Sequence, residues 1–555
     1  MDAGIAGICA AAGKNAPEDI DDAALDRAFE TLVRIMTSEA MFKERRSGKK
    51  KSSKFATSEM TAIFPNGPLS QASYSSDDRK RDEYKKRVRG KYEAVKAYLA
   101  GKATPDPHLG ICFVDGSPAV MRVGNDEFPL VDSKNRRNFH PGLQAGHAVG
   151  AKAAFALEFF PLSVLRTGIN SGFFWFVHTA SEKIAIACAR LTLDNMNRSI
   201  SRGDGLGFYG DWHISTEMTD AALVALIRDL MSGRIQQALT WRDIEDGGLP
   251  VTAYVFSNDN RRPNIAAHDL PHRLFYFFAV LNNDKGAFDR FNREVLQDER
   301  VGQRVPRKML GQEPILTDCF ARGNKNAAGS LQGGWRAHSL YATEVLGMNG
   351  MFIHTIEEVS ERIIAHEKAD DLIVALQTQD APTRALIRLT RMGLVSFDEY
   401  SHLVPPDVRT AAKIARDYLL AALYDRKQAQ ANDRKFECWS GELKPAAEKH
   451  ALITLVEAIG SKLSGDRDLA KSLATELAKA KRVSDLRRAI LRIMRKGGLS
   501  WSDFVMIFPP EDIRKSFEVR DYLLAYLFAA LRDAELPEPE PADEEAIERV
   551  EEIVA

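Results

Sequence analysis

The chain has 555 residues, 45% hydrophobic and 28% charged, with a formal net charge of −1. That length suits roughly three or four domains with sizeable cores, and the composition is that of an ordinary globular protein, not a fibrous or disordered one. The near-zero net charge excludes a uniformly basic nucleic-acid coat but leaves room for local basic surfaces. Five cysteines (Cys9, Cys112, Cys188, Cys319 and Cys438) are scattered and odd in number, which predicts free, buried thiols in a reducing compartment. Asp2 stands where a signal peptide would be basic, and no apolar run approaches the ~18 residues of a membrane helix. The expected location is cytoplasmic, without membrane contact.

Residues 20–40 have helical spacing, with Leu25, Phe29, Leu32, Val33 and Met36 on one face. Residues 43–102 are strongly basic, with 17 Lys and Arg against 7 Asp and Glu. KERRSGKKKSSK predicts a loop, and Lys49, Lys50 and Lys51 in it are candidate phosphate contacts, since each neutralised phosphate releases a counterion. A solvated loop is the plainer alternative. Residues 79–99 return to helical spacing and close an N-terminal helical and basic region, 1–107.

Residues 108–260 are strand-rich. Ile111–Val114, Phe173–Val177 and Val251–Phe256 are short aromatic or β-branched runs bounded by Gly, Asn or Pro. Helical patterns cover 181–200, 218–231, 272–300 and 337–350. Residues 108–178 form one module and 179–350 the remainder of a mixed α/β body. Within the module, Cys112-Phe-Val-Asp115-Gly116 and His147-Ala-Val-Gly150 occupy the places of two C-x-x-C knuckles. Tetrahedral zinc needs four donors, usually thiolate or imidazole. Gly150 offers none and Asp115 is uncommon in structural sites, so a packed, metal-free knuckle is expected.

Two loops are candidate base- or duplex-reading elements. Asn135-Arg136-Arg137-Asn138 lies between the knuckle positions, and Asn258-Asp-Asn260-Arg261-Arg262 follows a predicted strand. Asn and Arg can bond bidentately to adenine and guanine edges, although in loops they often simply form turns. Gly205-Leu-Gly207-Phe-Tyr-Gly210 matches G-x-G-x-x-G without the strand and helix a dinucleotide site needs. His268-Asp269, with His272 nearby, resembles a metal-binding pair, but Pro271 breaks any shared helix face. No nucleotide-binding or hydrolase motif is present, and no cofactor is called for.

The last third contains a duplication. RALIRLTRMGLVSFDEYSHLVPPDVRTAAKIARDYLLA from Arg384 and RAILRIMRKGGLSWSDFVMIFPPEDIRKSFEVRDYLLA from Arg488 align without a gap, with 14 identities in 38 positions. In each copy a helix stops at a glycine, Gly393 or Gly497. Ser396 with Glu399, or Ser500 with Asp503, caps a short helix. A Pro-Pro pair ends it, and a longer helix closes in Arg-Asp-Tyr-Leu-Leu-Ala. The prediction is an all-helical lobe of two repeats, each with an upstream helix, 351–430 and 431–533. Arg384, Arg388 and Arg391 fall at i, i+4 and i+7, and Arg488, Arg492 and Arg495 repeat the spacing. Two matching basic ridges suit phosphate contacts; pairing with Asp417 and Asp521 is the internal alternative. From Glu535 the chain reads ELPEPEPADEEAIERVEE, nine acids against one arginine, and 534–555 is expected to be an acidic tail, unpacked or with a short helix after Pro541. The fold class is therefore α+β: a mixed N-terminal body with a zinc-ribbon-like insertion lacking most metal ligands, then a duplicated helical lobe.

The opening MDAGIAGICAAAGK, the two degenerate knuckles, Phe128-Pro-Leu130, Asn138-Phe-His-Pro-Gly142 and Phe159-Phe-Pro-Leu162 resemble the large subunit of type I CRISPR Cascade complexes, of the I-A/I-B, CXXC–CXXC branch. The resemblance covers the first third well and the remainder in general layout. It implies a non-enzymatic, RNA- and DNA-binding subunit in antiviral defence. Such a subunit holds the guide RNA 5′ end, recognises the motif flanking a double-stranded target, supports R-loop formation and the displaced strand, and recruits a helicase-nuclease or transposition machinery. It contacts the complex's backbone and 5′-handle subunits. A nucleic-acid enzyme with an unrecognised site and a helical-repeat scaffold for protein partners remain the alternatives.

Overall fold

A computed structural model describes residues 2–41, 63, 69, 78–102, 108–124, 146–166, 174–203, 219–232, 251–257, 264–298, 300–301, 304–321, 329–378, 381–406, 408, 410–439, 441, 449–508, 513–532 and 536–537. The protein is mostly helical with a few small antiparallel sheets, an α+β fold, in two compact units. One comprises Met1–Phe288 and Val295–Glu313; the other comprises Asp289–Glu294 and Pro314–Ala555. Among the described residues no helix is long and apolar enough to cross a membrane. None of the five cysteines forms a disulfide, and all but Cys438 are buried.

In the first unit, helices α1 (Asp2–Ala12), α2 (Asp22–Met36), α3 (Asp78–Leu99), α4 (Ala151–Phe159) and α5 (Glu182–Arg202) share a core with one face of a sheet. The opening segment is small-residue-rich because α1 packs directly on α4. A Cβ at Gly4 would lie 2.2 Å from the Ala156 carbonyl oxygen, and one at Gly7 would lie 2.7 Å from that of Phe159. The sheet runs β3 (Leu165–Arg166), β4 (Phe174–His178), β5 (Val251–Ser257), β6 (Asn264–Leu270), antiparallel throughout. Aromatic pairs such as Phe174–Phe256 and Phe176–Tyr254 lie opposite each other across β4 and β5, the cross-strand contacts that stabilise sheets. Helices α6 (Thr219–Met231), α7 (His272–Asn282) and α9 (Val305–Leu310) pack together, and α8 (Lys285–Phe291) follows α7.

A buried ion cluster joins α3 to α4. Glu158 accepts from Lys91 at 2.6 Å and Arg87 at 3.1 Å, with Lys91 and Glu158 both buried. Burial alone would raise the Glu158 carboxyl; the two cations outweigh it and hold it below its ordinary value.

The second unit begins before the repeats. Helix α10 (Leu316–Cys319) and the hairpin β7 (Phe320–Ala321) with β8 (Ser330–Leu331) lead into α11 (Trp335–Glu344). Among the described residues each repeat then has five helices: the three of the aligned stretch and two upstream of them, where the sequence predicts one. The first is α12 (Gly350–Ala365), α13 (Ala369–Thr378), α14 (Pro382–Arg391), α15 (Phe397–Leu403) and α16 (Ala411–Ala431). The second is α17 (Ala451–Ser464), α18 (Arg467–Lys479), α19 (Val483–Arg495), α20 (Trp501–Ile507) and α21 (Ile513–Ala530). The expected stops and caps are present. Gly393 and Gly497 are left-handed, with φ +74° and +80°, and Ser396 with Glu399 and Ser500 with Asp503 form capping boxes.

At the entry to the repeats, Asp425 is fully buried. It accepts from Arg290 and Arg434, each at 2.7 Å, and from the Trp335 backbone N–H at 3.1 Å. Burial would raise this carboxyl, but the charge of Arg290 and these hydrogen bonds hold it low. Asp425→Ala should lower the unfolding free energy in urea by about 3–5 kcal/mol, because it leaves two arginines without their shared carboxylate. An effect below about 1 kcal/mol would show the cluster to be dispensable. A depressed folded-state pKa stabilises above the ordinary carboxylate range, near ~4, and that stabilisation is lost as pH falls through the folded value. The wild-type advantage over Asp425→Ala should therefore shrink on acidification below pH ~4.

Candidate nucleic-acid interface

The knuckle module is built as a turn on a hairpin. Strand β1 (Ala119–Val123) pairs antiparallel with β2 (His147–Gly150). Ile111–Val114, expected as a strand, is a turn, tied to the hairpin by a bridge at Ile111–Pro118 and by the Phe113 N–H donating to the Ala148 carbonyl. Gly116, at φ +70°, reverses the chain there, and the Cys112 N–H donates across the turn to the Ser117 carbonyl. The Val114 N–H points at the Cys112 sulfur, 3.4 Å away. Asp115 accepts from the Ser117 N–H and hydroxyl, at 3.1 and 2.7 Å. Its burial would raise the carboxyl, but bonds to Cys112 and Ser117 leave it below its ordinary value.

Cys112 is buried with Val123, Val149, Ala153, Ala154 and Leu157, so here it acts as a small apolar residue seated on α4. Gly150 stands beside it, and a Cβ there would lie 2.2 Å from the Ser117 hydroxyl and 3.5 Å from the Cys112 Cβ. His147 turns its ring to Phe113, with centroids 4.8 Å apart. Among the described residues no three His, Cys, Asp or Glu side chains gather to hold a metal. His268 and Asp269 are adjacent on β6, and Asp269 accepts from the Thr252 hydroxyl at 2.7 Å.

The predicted basic residues separate into three groups. Lys49, Lys50 and Lys51, Asn135, Arg136, Arg137 and Asn138, and Asn258, Asn260, Arg261 and Arg262 lie outside the described residues, as does 205–210. The strands flanking two of these segments are fixed: Val123 pairs with His147, and Ser257 with Asn264. On α3, Lys91 and Arg87 are committed to Glu158, whereas Lys86 and Arg89 are exposed.

The third group, the two ridges, lies on α14 and α19 as the spacing predicts, but in unlike surroundings. Arg384, Arg388 and Arg391 are half-buried; Arg488, Arg492 and Arg495 are exposed. Helix α14 packs against α21 of the second repeat, and among the described residues no element of a further repeat lies on α19. Arg492 pairs with Glu476, while Arg384, Arg391, Arg488 and Arg495 make no ion pair among the described residues. The carboxylates of the internal alternative take their chain neighbours, Asp417 with Arg416 at 3.6 Å and Asp521 with Arg520 at 2.7 Å.

A cleft of about 430 Å³ lies beside α1 and the start of α5. Among its polar groups, which include Thr179 and Glu182, Asp2 and His178 face each other at 3.0 Å. Two exposed apolar groups escape a reading by sequence: Ile111, Phe113 and Val114 on the knuckle turn, and Leu491, Trp501, Val505 and Met506 on α19 and α20. The available signal for the second is a tryptophan at the position where the first repeat has Phe397.

No family model, no curated protein and no solved structure matches this chain.

Gly150→Ala should destabilise the protein by about 1–3 kcal/mol through overpacking, and Ser117→Gly in the same chain should recover most of that. A strong chelator should leave the unfolding temperature unchanged. Release of one zinc per chain together with a fall in that temperature would overturn the metal-free knuckle.

Proposed function

We propose that this chain is the non-catalytic large subunit of a type I CRISPR surveillance complex. In this reading it holds the guide RNA 5′ end, tests the motif beside a duplex target, supports R-loop formation and recruits the helicase-nuclease or a transposition machinery. The reading rests on the resemblance of the first third. The observation that best supports the nucleic-acid part is the second ridge, where three exposed arginines follow one helix face and two of them make no ion pair among the described residues. Such a row suits a phosphate backbone, which it positions without reading sequence. Sequence is delegated to base pairing with the guide, and the protein supplies electrostatic positioning and a few groove contacts.

The unequal exposure ranks the ridges. Changing Arg488, Arg492 and Arg495 to Gln should weaken nucleic-acid binding uniformly across sequences. It should lower the salt slope by about 0.7 for each single-strand phosphate left without its cation. The same change at Arg384, Arg388 and Arg391 should do less to the slope and more to the melting temperature, because those side chains are half-buried. An unchanged slope with the second ridge removed would refute its role. Changing Arg136 and Arg137, or Asn260 and Arg261, to Ala should cost about 1–3 kcal/mol for each bidentate base pairing removed, in a way that depends on the flanking motif. Motif-independent binding equal to the parent's in both double variants would make these loops simple turns.

A further inference from the structure

The two repeats are alike in sequence and unlike in cover. Ile387 on α14 is 1% exposed and its counterpart Leu491 on α19 is 39% exposed; Phe397 on α15 is 8% exposed and its counterpart Trp501 on α20 is 66% exposed. In the first repeat this face is covered by α21. Tyr522 and Tyr526 meet Phe397 with ring centroids 6.5 and 5.1 Å apart, and Tyr522 meets Tyr400 at 5.5 Å. Arg532 lies 3.5 Å from where a Cβ of Gly393 would be, whereas the equivalent space at Gly497 is open.

Terminal units of a repeat array stay soluble by presenting a polar outer face. The face of the second repeat instead carries Leu491, Trp501, Val505 and Met506 beside Arg488, Arg492 and Arg495. An apolar patch rimmed by charge of one sign marks a binding surface. The first repeat shows what kind of element covers it: a helix with apolar side chains directed at α14 and α15. On the second repeat, where Arg488, Arg492 and Arg495 are exposed, carboxylates on such a helix would complement the arginines.

The chain itself carries a segment of that chemistry. Residues 538–555, outside the described residues, read EPEPADEEAIERVEEIVA. Ile547, Val550 and Val554 fall at i, i+3 and i+7, the spacing of one helix face. Glu544, Glu545, Glu548, Glu551 and Glu552 surround them, with Arg549 the segment's single cation. The segment departs from Leu536, which is buried in the same core as α19 and α21. The nine residues from Pro537 to Glu545 can span up to about 30 Å, and a short tether gives a high effective concentration.

We propose that residues 538–555 dock in cis on the open α19–α20 face, with Ile547, Val550 and Val554 against Leu491 and Trp501 and the glutamates against Arg488 and Arg495. The docking stands independently of the proposed function. Only its consequence, that the tail screens the second ridge until nucleic acid displaces it, rests on that reading.

The test is photo-cross-linking in the full chain carrying Val550→benzoylphenylalanine, without nucleic acid. Cross-links should map within 484–508 and be intramolecular in a mixture of light and heavy chains. Arg488→Glu with Arg495→Glu should cut the yield at least five-fold, and adding Glu548→Lys with Glu551→Lys should restore it. Arg488 and Arg495 are exposed, and circular dichroism checks that each variant stays folded. Cross-links elsewhere in the chain, links to a second copy, or no restoration by the reciprocal charge swap would each overturn the docking. A separate titration with single-stranded nucleic acid tests the consequence. Loss of the cross-link as the strand binds supports screening, and persistence overturns screening while leaving the docking intact.

Discussion

Each five-helix repeat carries an apolar face on its third and fourth helices, and in the first repeat a helix covers it. In the second unit such cover is present once among the described residues. Helix α21 of the second repeat lies on α14 and α15 of the first, where Tyr522 packs against Phe397 and Tyr400 and donates its hydroxyl to the Val404 carbonyl. The duplicated halves thereby support each other through nearest-neighbour contact, the general logic of repeat proteins. The same contact makes identical sequence features unequal. Three arginines at matching positions are half-buried in one copy and exposed in the other, so spacing alone could not rank them.

Charge is also placed inside each unit, at a cost that pairing offsets. Glu158 with Lys91 and Arg87, and Asp425 with Arg290 and Arg434, are carboxylates buried between elements distant in sequence. Isolated buried charges are expensive, and a pair gains little over an apolar substitute. Their geometry nevertheless fixes which helix meets which, since a misplaced partner leaves a buried charge unmatched. The knuckle module solves a related problem without charge. Cys112, Val123 and Val149 pack on Ala153, Ala154 and Leu157 of α4, and Gly150 admits no side chain at the fourth knuckle position, because a Cβ there would lie 2.2 Å from the Ser117 hydroxyl.

Much of the fold was legible in the sequence because it is local. Apolar periodicity located α2, α3, α5 and α6, and the Ser-x-x-acid and glycine signals placed the ends of α14, α15, α19 and α20. The strands β4 and β5 are marked by aromatic and β-branched runs; β4 lies one residue later than its run, and β5 extends one residue beyond its own. What failed was non-local. Ile111–Val114 has strand composition, yet Asp115-Gly116 turns the chain and hydrogen bonds to Ser117 and Ala148 make it a knuckle. The first two helices of each repeat lie outside the gap-free alignment, and what they share is a contact between residues far apart in sequence: Arg362 with Glu399 in one copy and Lys462 with Asp503 in the other. Nothing local marks Lys91, on a basic helix, as buried; its partner Glu158 is 67 residues away. The exposure of Trp501 followed only from knowing what covers Phe397.

The site and the proposed function are joined by electrostatics more than by any single residue. Under the proposed function, the exposed arginines of α19 position a nucleic-acid backbone while pairing with a guide reads sequence. The most direct measurement is purification of the chain from its native cells under mild salt, with sequencing of the RNA that accompanies it. The proposed function predicts short RNAs that share a constant 5′ segment followed by variable sequence. Recovery of the intact protein with no RNA above background would contradict it.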